Sequence, residues 1–394
     1  MRKVPAQLPM EIVSLILELA YYDESLEPDL QVLSACALVC RNWSPPAQTL
    51  LFRHVMLHSS TSFLAFRSAV DATTTRGRSL RNNVARLKVI IDHNHPDQLS
   101  HRALAIAVLS CPNLYELDLA IYGCGVPTPC PDSPSHVRIF RAAPSFDTDT
   151  LNLLRAGPPI RSIKFTNWSD NDQLATQLLS DVWPALTSVS LRGTPPHLPA
   201  DDGPNSSFGC ALSDLRLDFQ TMHPEFINWL LQNSYRSLRH LELDRLPSAD
   251  ILTSLLNECG PSMESLSLPS CASRDQGVWV RGCKKLKEFR FESSNISPLF
   301  LSQLPTTVEH LAFSISRDTP LYLMVNFVKS RRHLRAITVQ IWDDAASHPQ
   351  LPNLRIACAC NGVDLLVVRG IRRFREAIVS LAYSHTSLPR QIEL

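Results

Sequence analysis

Apolar positions recur along this chain in two alternating patterns. One is the six-residue form L-x-x-L-x-L, clearest in Leu114-Tyr115-Glu116-Leu117-Asp118-Leu119, whose last apolar pair alternates as a half-buried strand does. Apolar equivalents return at Val137/Phe140/Ala142, Ile160/Ile163/Phe165, Leu186/Val189/Leu191, Leu212/Leu215/Leu217, Leu238/Leu241/Leu243, Met263/Leu266/Leu268, Leu286/Phe289/Phe291, Val308/Leu311/Phe313 and Leu334/Ile337/Val339. From 114 to 334 the successive steps are 23, 23, 26, 26, 26, 25, 23, 22 and 26 residues, a period that marks repeated supersecondary units. Weaker copies lie at Val84/Leu87/Val89 and at Leu354/Ile356/Cys358. The second pattern has a helical period and occupies 100–110, 148–155, 170–182, 224–233, 248–259, 298–304 and 320–329. Several of these segments open on a cap or first-turn residue, such as Asp170, Ser248 or Thr319-Pro320, and many close at Pro or Gly.

The predicted unit is therefore strand, turn, helix, turn. One such unit cannot cover its own apolar face, so neighbours must stack and merge their leucines into one spine. Composition agrees, with 58 leucines among 394 residues. Over about 84–360 the chain resembles a leucine-rich-repeat protein of the irregular intracellular type, which implies parallel strands on a concave face and helices on a convex one. That family places Asn or Cys three residues after the last strand leucine. Here only Cys271 matches, and the other repeats carry Tyr122, Trp168, Thr194, Gln220, Leu246, Ser294, Ser316 and Trp342, so the expected solenoid is uneven.

The first sixty residues follow another pattern. Pro9 opens an amphipathic helix through Leu19, with Ile12, Ile16 and Leu19 on one stripe. A second helix runs from Leu30 to Trp43 and stops at Pro45-Pro46, and a third short one covers 47–52. Leu8, Pro9, Glu11, Ile12, Ile16, Leu17, Leu38, Val39, Cys40, Arg41, Trp43, Leu51 and Phe52 match the pattern of an F-box, and the segment 5–57 resembles that family, in particular its fungal members. The resemblance implies docking on the adaptor Skp1, and through it on a cullin, a RING subunit and a ubiquitin-conjugating enzyme. Leu8, Pro9, Ile12, Leu17, Val39 and Trp43 match positions that form or support that contact. Ile16 and Leu38 are expected to fill the small three-helix core, and Leu8 and Pro9 to face the partner.

The overall expectation is an α/β chain with an F-box at 5–57, a helical linker at 58–83, a leucine-rich-repeat solenoid at 84–360 and a cap at 361–394. Strand alternation sends Asp118, Arg141, Lys164, Ser190, Arg216, Glu242, Ser267, Arg290, Ala312 and Thr338 to the face opposite the leucines. That mixed polar row suits a protein partner, with Asp118, Arg141, Lys164, Arg216, Glu242 and Arg290 as the target-binding candidates.

The 38 Lys plus Arg against 37 Asp plus Glu exclude a global bias toward nucleic acid or anionic membrane. The charge is unevenly spread, however. Residues 281–394 carry 16 basic and 9 acidic side chains, a net +7, which suggests that a rim around Arg331, Arg332 and Arg335 takes an acidic or phosphorylated segment.

No phosphate-binding, zinc-protease or nucleophile-elbow motif occurs, Gly123-Cys124-Gly125 lacks the rest of a phosphate cradle, and the eleven cysteines form no zinc-type pairs. No cofactor and no metal are expected. The cysteine usage and the lack of an apolar leader or span point to a cytoplasmic or nuclear protein. The function expected is that of a non-catalytic substrate receptor of a Skp1–cullin–F-box ligase. The rivals are a Skp1-binding scaffold outside any ligase and a hydrolase using the His93/His95 loop.

Overall fold

The computed structural model describes residues 8–22, 28–123, 127–129, 139–141, 144–180, 182–198, 208–271, 274–342, 348–371 and 374–375. The chain divides into two compact units, Met1–Cys210 with Glu225–Gln232, and Ala211–Pro224 with Asn233–Leu394.

The first unit opens with three helices, Met10–Leu19, Leu30–Val39 and Ser44–Leu51. Pro9, extended at φ −53° and ψ 145°, starts the first, and the Asp29 carboxylate accepts the Val32 N–H at 2.9 Å to cap the second. Proline in the first turn of the third costs no hydrogen bond, because those N–H groups have no helical acceptor. These helices share a core of Val13, Leu17, Tyr21, Leu33, Ala47 and Leu50, with Trp43, Cys36, Ala37 and Leu51 packed against it.

Parallel strands follow in the order His54–Leu57, Arg86–Asp92, Glu116–Gly123, Ser162–Ser169 and Ser188–Gly193. Helices separate them, among them Ser60–Ala69, which Ser59 and Ser62 start with a reciprocal capping box. The first of these strands lies inside the segment 5–57, and two helices, Ser60–Ala69 and Thr75–Asn83, occupy 58–83.

The second unit stacks seven parallel strands, Asp214–Phe219, His240–Leu243, Ser265–Leu268, Glu288–Phe291, His310–Ile315, Ala336–Ile341 and Asp364–Arg369. The five middle strands of this stack each enter on a shared acceptor. The carbonyl of Arg239 takes the N–H groups of Glu264 and Ser265, that of Glu264 takes those of Lys287 and Glu288, and that of Lys287 takes those of Glu309 and His310. A row of hydroxyls reinforces the step. Ser237 donates to the Leu212 carbonyl at 2.8 Å, Ser262 to Leu238 at 2.9 Å and Thr307 to Leu286 at 2.7 Å. Each hydroxyl sits just before the first apolar residue of its repeat and reaches the carbonyl of the first apolar residue one repeat back. Behind the strands, Phe289, Phe291, Phe300 and Phe313 pack with centroid separations of 5.3 to 6.4 Å.

Two predicted strand motifs are not strands of these stacks. Ile139–Arg141 pairs antiparallel with Pro127–Pro129, while Glu116–Gly123 pairs directly with Ser162–Ser169, so Arg141 is not on the strand row assigned to it. The cause is local. The chain between Gly123 and Ile139 is rich in proline, which cannot complete a ladder, and holds no helical-period segment to back another strand. Val137 and Ala142 lie outside the described residues. Leu354, Ile356 and Cys358 belong to the helix Leu351–Asn361, which Pro352 starts and Gly362 ends in the left-handed conformation at φ 66°. The strand of this repeat is Asp364–Arg369, within the segment expected to be the cap.

The nine cysteines among the described residues are free thiols. Burial pushes the Cys111, Cys259 and Cys283 thiols up to about 12. Burial also holds the His310 imidazole down at about 4, with Nε2 at 2.9 Å from the Thr338 hydroxyl. His310 is therefore neutral in the fold, while the unfolded chain takes up a proton below about pH 6.5. Its contribution is fully present above that pH and is lost as pH falls toward 4. At pH 5 the loss amounts to about 2 kcal/mol. Hydrogen exchange in the strand His310–Ile315 is expected to accelerate between pH 7 and 5 beyond the intrinsic rate change, and His310→Gln to flatten that dependence.

Candidate functional site

Two surfaces carry the candidate residues, one in each unit. The N-terminal helices present the first. Val13 and Leu17 turn inward, and the apolar residues between them turn outward. Leu8, Pro9, Met10, Ile12, Leu15, Ile16 and Leu19 are all exposed, Leu19 to 77%. The second helix adds Leu38 at 86% and Val39 at 63%. The stripe Ile12/Ile16/Leu19 exists as predicted, but it faces solvent. Ile16 and Leu38 are thus corrected from core residues to surface residues. The helix is apolar on more than one side, and Val13/Leu17 wins the interior because Leu33, Ala47 and Leu50 meet it there. Of the six assigned positions, Leu8, Pro9, Ile12 and Val39 are exposed and Trp43 is half-buried against the core. Leu17 is fully buried and can only support a contact from beneath.

On the strand rows, the register aligns the residues that alternation grouped, and Ser267, Arg290, Ala312 and Thr338 are buried there. Asp118 is opposite Lys164 in the first unit, and Arg216, Glu242, Ser267, Arg290, Ala312 and Thr338 form one row in the second. In the first unit the charges pair locally, Lys88 with Asp118 at 3.6 Å and Lys164 with Glu116 at 2.9 Å.

In the second unit the charges form a connected cluster. Arg216 reaches Asp244 at 2.9 Å and Glu242 at 3.4 Å. Arg290, which is 1% exposed, donates to Ser267 Oγ at 2.7 Å and to the Glu242 carboxylate. Its third donor meets the carbonyl of Arg375 at 2.8 Å, and its guanidinium lies 5.9 Å from the centroid of the Phe374 ring. Arg375 itself makes a two-pronged contact with Glu292, at 2.6 and 2.8 Å, and lies 3.3 Å from Asp244. Phe374 is fully buried with Ala312 and Val368. Burial alone would lower the Arg375 pKa, but Glu292, Asp244 and Glu242 outweigh it and raise it. Arg290 is therefore not an open target contact, because residues 374–375 cover it. Local spacing offered no signal for this closure, since the partners are 83 to 85 residues apart in sequence.

The basic rim is also spoken for in part. The Arg331 guanidinium donates to the carbonyls of Leu301 at 3.3 Å and Leu304 at 2.9 Å and lies 5.0 Å from the Phe327 ring centroid. Arg335 pairs with Glu309 at 3.2 Å, while Arg332 is exposed. Arg331 is thus engaged at a helix end, where it supplies a donor to two carbonyls. The His93/His95 loop brings His93 to 5.5 Å from His101, and burial lowers both imidazoles. His95 Nδ1 accepts the Asp97 N–H at 3.2 Å. Among the described residues no group of three or more His, Cys, Asp or Glu is arranged to hold a metal ion, and no helix is long and apolar enough to cross a membrane.

The strand–helix order and in-step parallel pairing define a leucine-rich-repeat-like fold. No family model and no curated protein matches the sequence. Among solved structures the chain is similar to that titled "Crystal structure of TLR13-ssRNA13 complex", at 12% identity and a TM-score of 0.38. The match covers 74% of this chain and 40% of that one, so this chain spans less than half of its length.

The inward and outward rows make opposite demands. Leu17→Ala is expected to cost the N-terminal helices 2–5 kcal/mol or so, and Leu38→Ala to stay within about 0.5 kcal/mol. Hydrogen exchange in the helices Met10–Leu19 and Leu30–Val39 measures both.

Proposed function

We propose that this chain is the substrate-recognition subunit of a Skp1–cullin–F-box ubiquitin ligase. Its N-terminal helices dock on Skp1 and its strand face holds the target. One observation carries this reading: the helical module completes its own core and still displays Leu8, Ile12, Ile16, Leu19, Leu38 and Val39 to solvent. This many exposed large apolar side chains on one small helical module mark an interaction site, and the pattern of residues 8–52 resembles that of an F-box. An apolar row on a helix suits a groove lined by apolar side chains.

The mechanism is proximity. One end of the chain holds the ligase and the strand face holds a target, which raises the effective concentration of a target lysine at the charged ubiquitin. No residue of this chain has to act as acid, base or nucleophile. A second reading, a Skp1-bound scaffold outside any ligase, uses the same apolar row and differs only in whether a cullin co-purifies.

The test is recovery of purified Skp1 on the immobilised full chain. Leu19→Asp/Leu38→Asp is expected to weaken recovery more than tenfold, as loss of apolar anchors at an interface centre does, with no loss of thermal stability. Leu8→Ala/Pro9→Ala is expected to weaken it less. Equal recovery by wild type and the Asp double variant rejects the reading.

A further inference from the structure

We infer that the strand face of the second unit is a recognition site for a peptide carrying an apolar residue followed by arginine, and that Phe374-Arg375 occupies this site in cis. The inference rests on the strand face being the target-binding surface and does not depend on the Skp1 contact.

The carboxylates point to the ligand. Glu242, Asp244 and Glu292 lie together on this face, and the Arg375 guanidinium sits among them. The shape of the contact is equally selective. The Glu292 carboxylate meets Nε and one terminal nitrogen of Arg375 in parallel, at 2.6 and 2.8 Å, which a lysine ammonium cannot reproduce. The Asp244 carboxylate lies 3.3 Å from the other terminal nitrogen, an ion-pair distance. The preceding ring is buried against Ala312 and Val368 and faces the Arg290 guanidinium. Arg290 also reads the ligand backbone, by donating to the carbonyl of Arg375 at 2.8 Å. Side chain, neighbour and main chain are thus each recognised, as a peptide site requires.

The return path is also built in. Gly370 closes the last strand at φ 89°, a conformation that an L side chain adopts only under strain. Because the occupant is tethered, a target peptide competes against a ligand at high effective concentration. The face is closed by default and opens to a target that carries the same signal at higher affinity, or when the tether is displaced.

Fluorescence anisotropy with a labelled peptide of residues 371–378 tests this on the full chain. Phe374→Ala/Arg375→Ala is expected to bind the peptide at least tenfold more tightly than wild type. A peptide with Ala in place of Arg375 retains two other arginines, and is expected to bind that variant at least tenfold more weakly. Adding Glu292→Gln to the variant is expected to abolish the difference between the two peptides. Equal binding by wild type and variant, equal binding of the two peptides, or indifference to Glu292→Gln each overturns the inference. If the double variant loses its cooperative melt, Arg375→Gln, which keeps Phe374, is measured in its place by the same comparisons. Skp1 recovery from the same preparations is expected to be unchanged, so failure of one proposal is visible apart from the other.

Discussion

Everything in the two stacks depends on strands entering in step. A carbonyl at the entrance of one strand accepts two N–H groups from the next, and in three repeats of the second unit a hydroxyl just upstream ties the same turn to the repeat behind it. With the entrance fixed, a slip of one residue would turn every leucine outward and every charge inward. The in-step entry therefore aligns Arg216, Glu242, Ser267, Arg290, Ala312 and Thr338 without any contact among those side chains having to specify it. The apolar spine supplies the driving force, and the entry bonds decide which face each residue serves.

That alignment has an electrostatic result. Acids and bases from neighbouring repeats meet at intervals of one strand, so charges on the face of the second unit pair with one another. Buried charge is costly unless every donor finds an acceptor. Arg290 meets this demand by dividing its donors among Ser267, Glu242 and a main-chain carbonyl from the C-terminal segment. Its burial and its recognition of the returning chain are the same fact.

The spacing of leucines made most of the strands legible, because a period of 22 to 26 residues with an internal L-x-L leaves few other ways to hide the apolar groups. It misled at two places. Around Phe140 the apolar spacing is right but no helix stands behind it, and in Leu354–Cys358 alternation mimics a strand inside a segment that Pro352 and Gly362 bound as a helix. The N-terminal helix shows a different limit. Apolar residues at Ile12, Val13, Leu15, Ile16 and Leu17 make two stripes, and only the packing of Leu33, Ala47 and Leu50 chooses between them. The polar row was legible from alternation, whereas its closure by Phe374 and Arg375 was not, because contacts across more than eighty residues leave no local trace.

The burial of the thiols has a practical side. A nucleophile must first lose its proton, and groups such as Cys111, Cys259 and Cys283 stay protonated across the whole biological range. Cys40 is exposed one residue beyond Val39, and Cys360 is exposed on the helix Leu351–Asn361. Maleimide chemistry would thus find solvent-facing handles in either unit while the interior sulfurs stay silent. A dye on Cys40 would sit at the margin of the apolar row, where shielding by a partner shifts its emission, so the wild-type sequence already carries the attachment point for an optical reporter of docking.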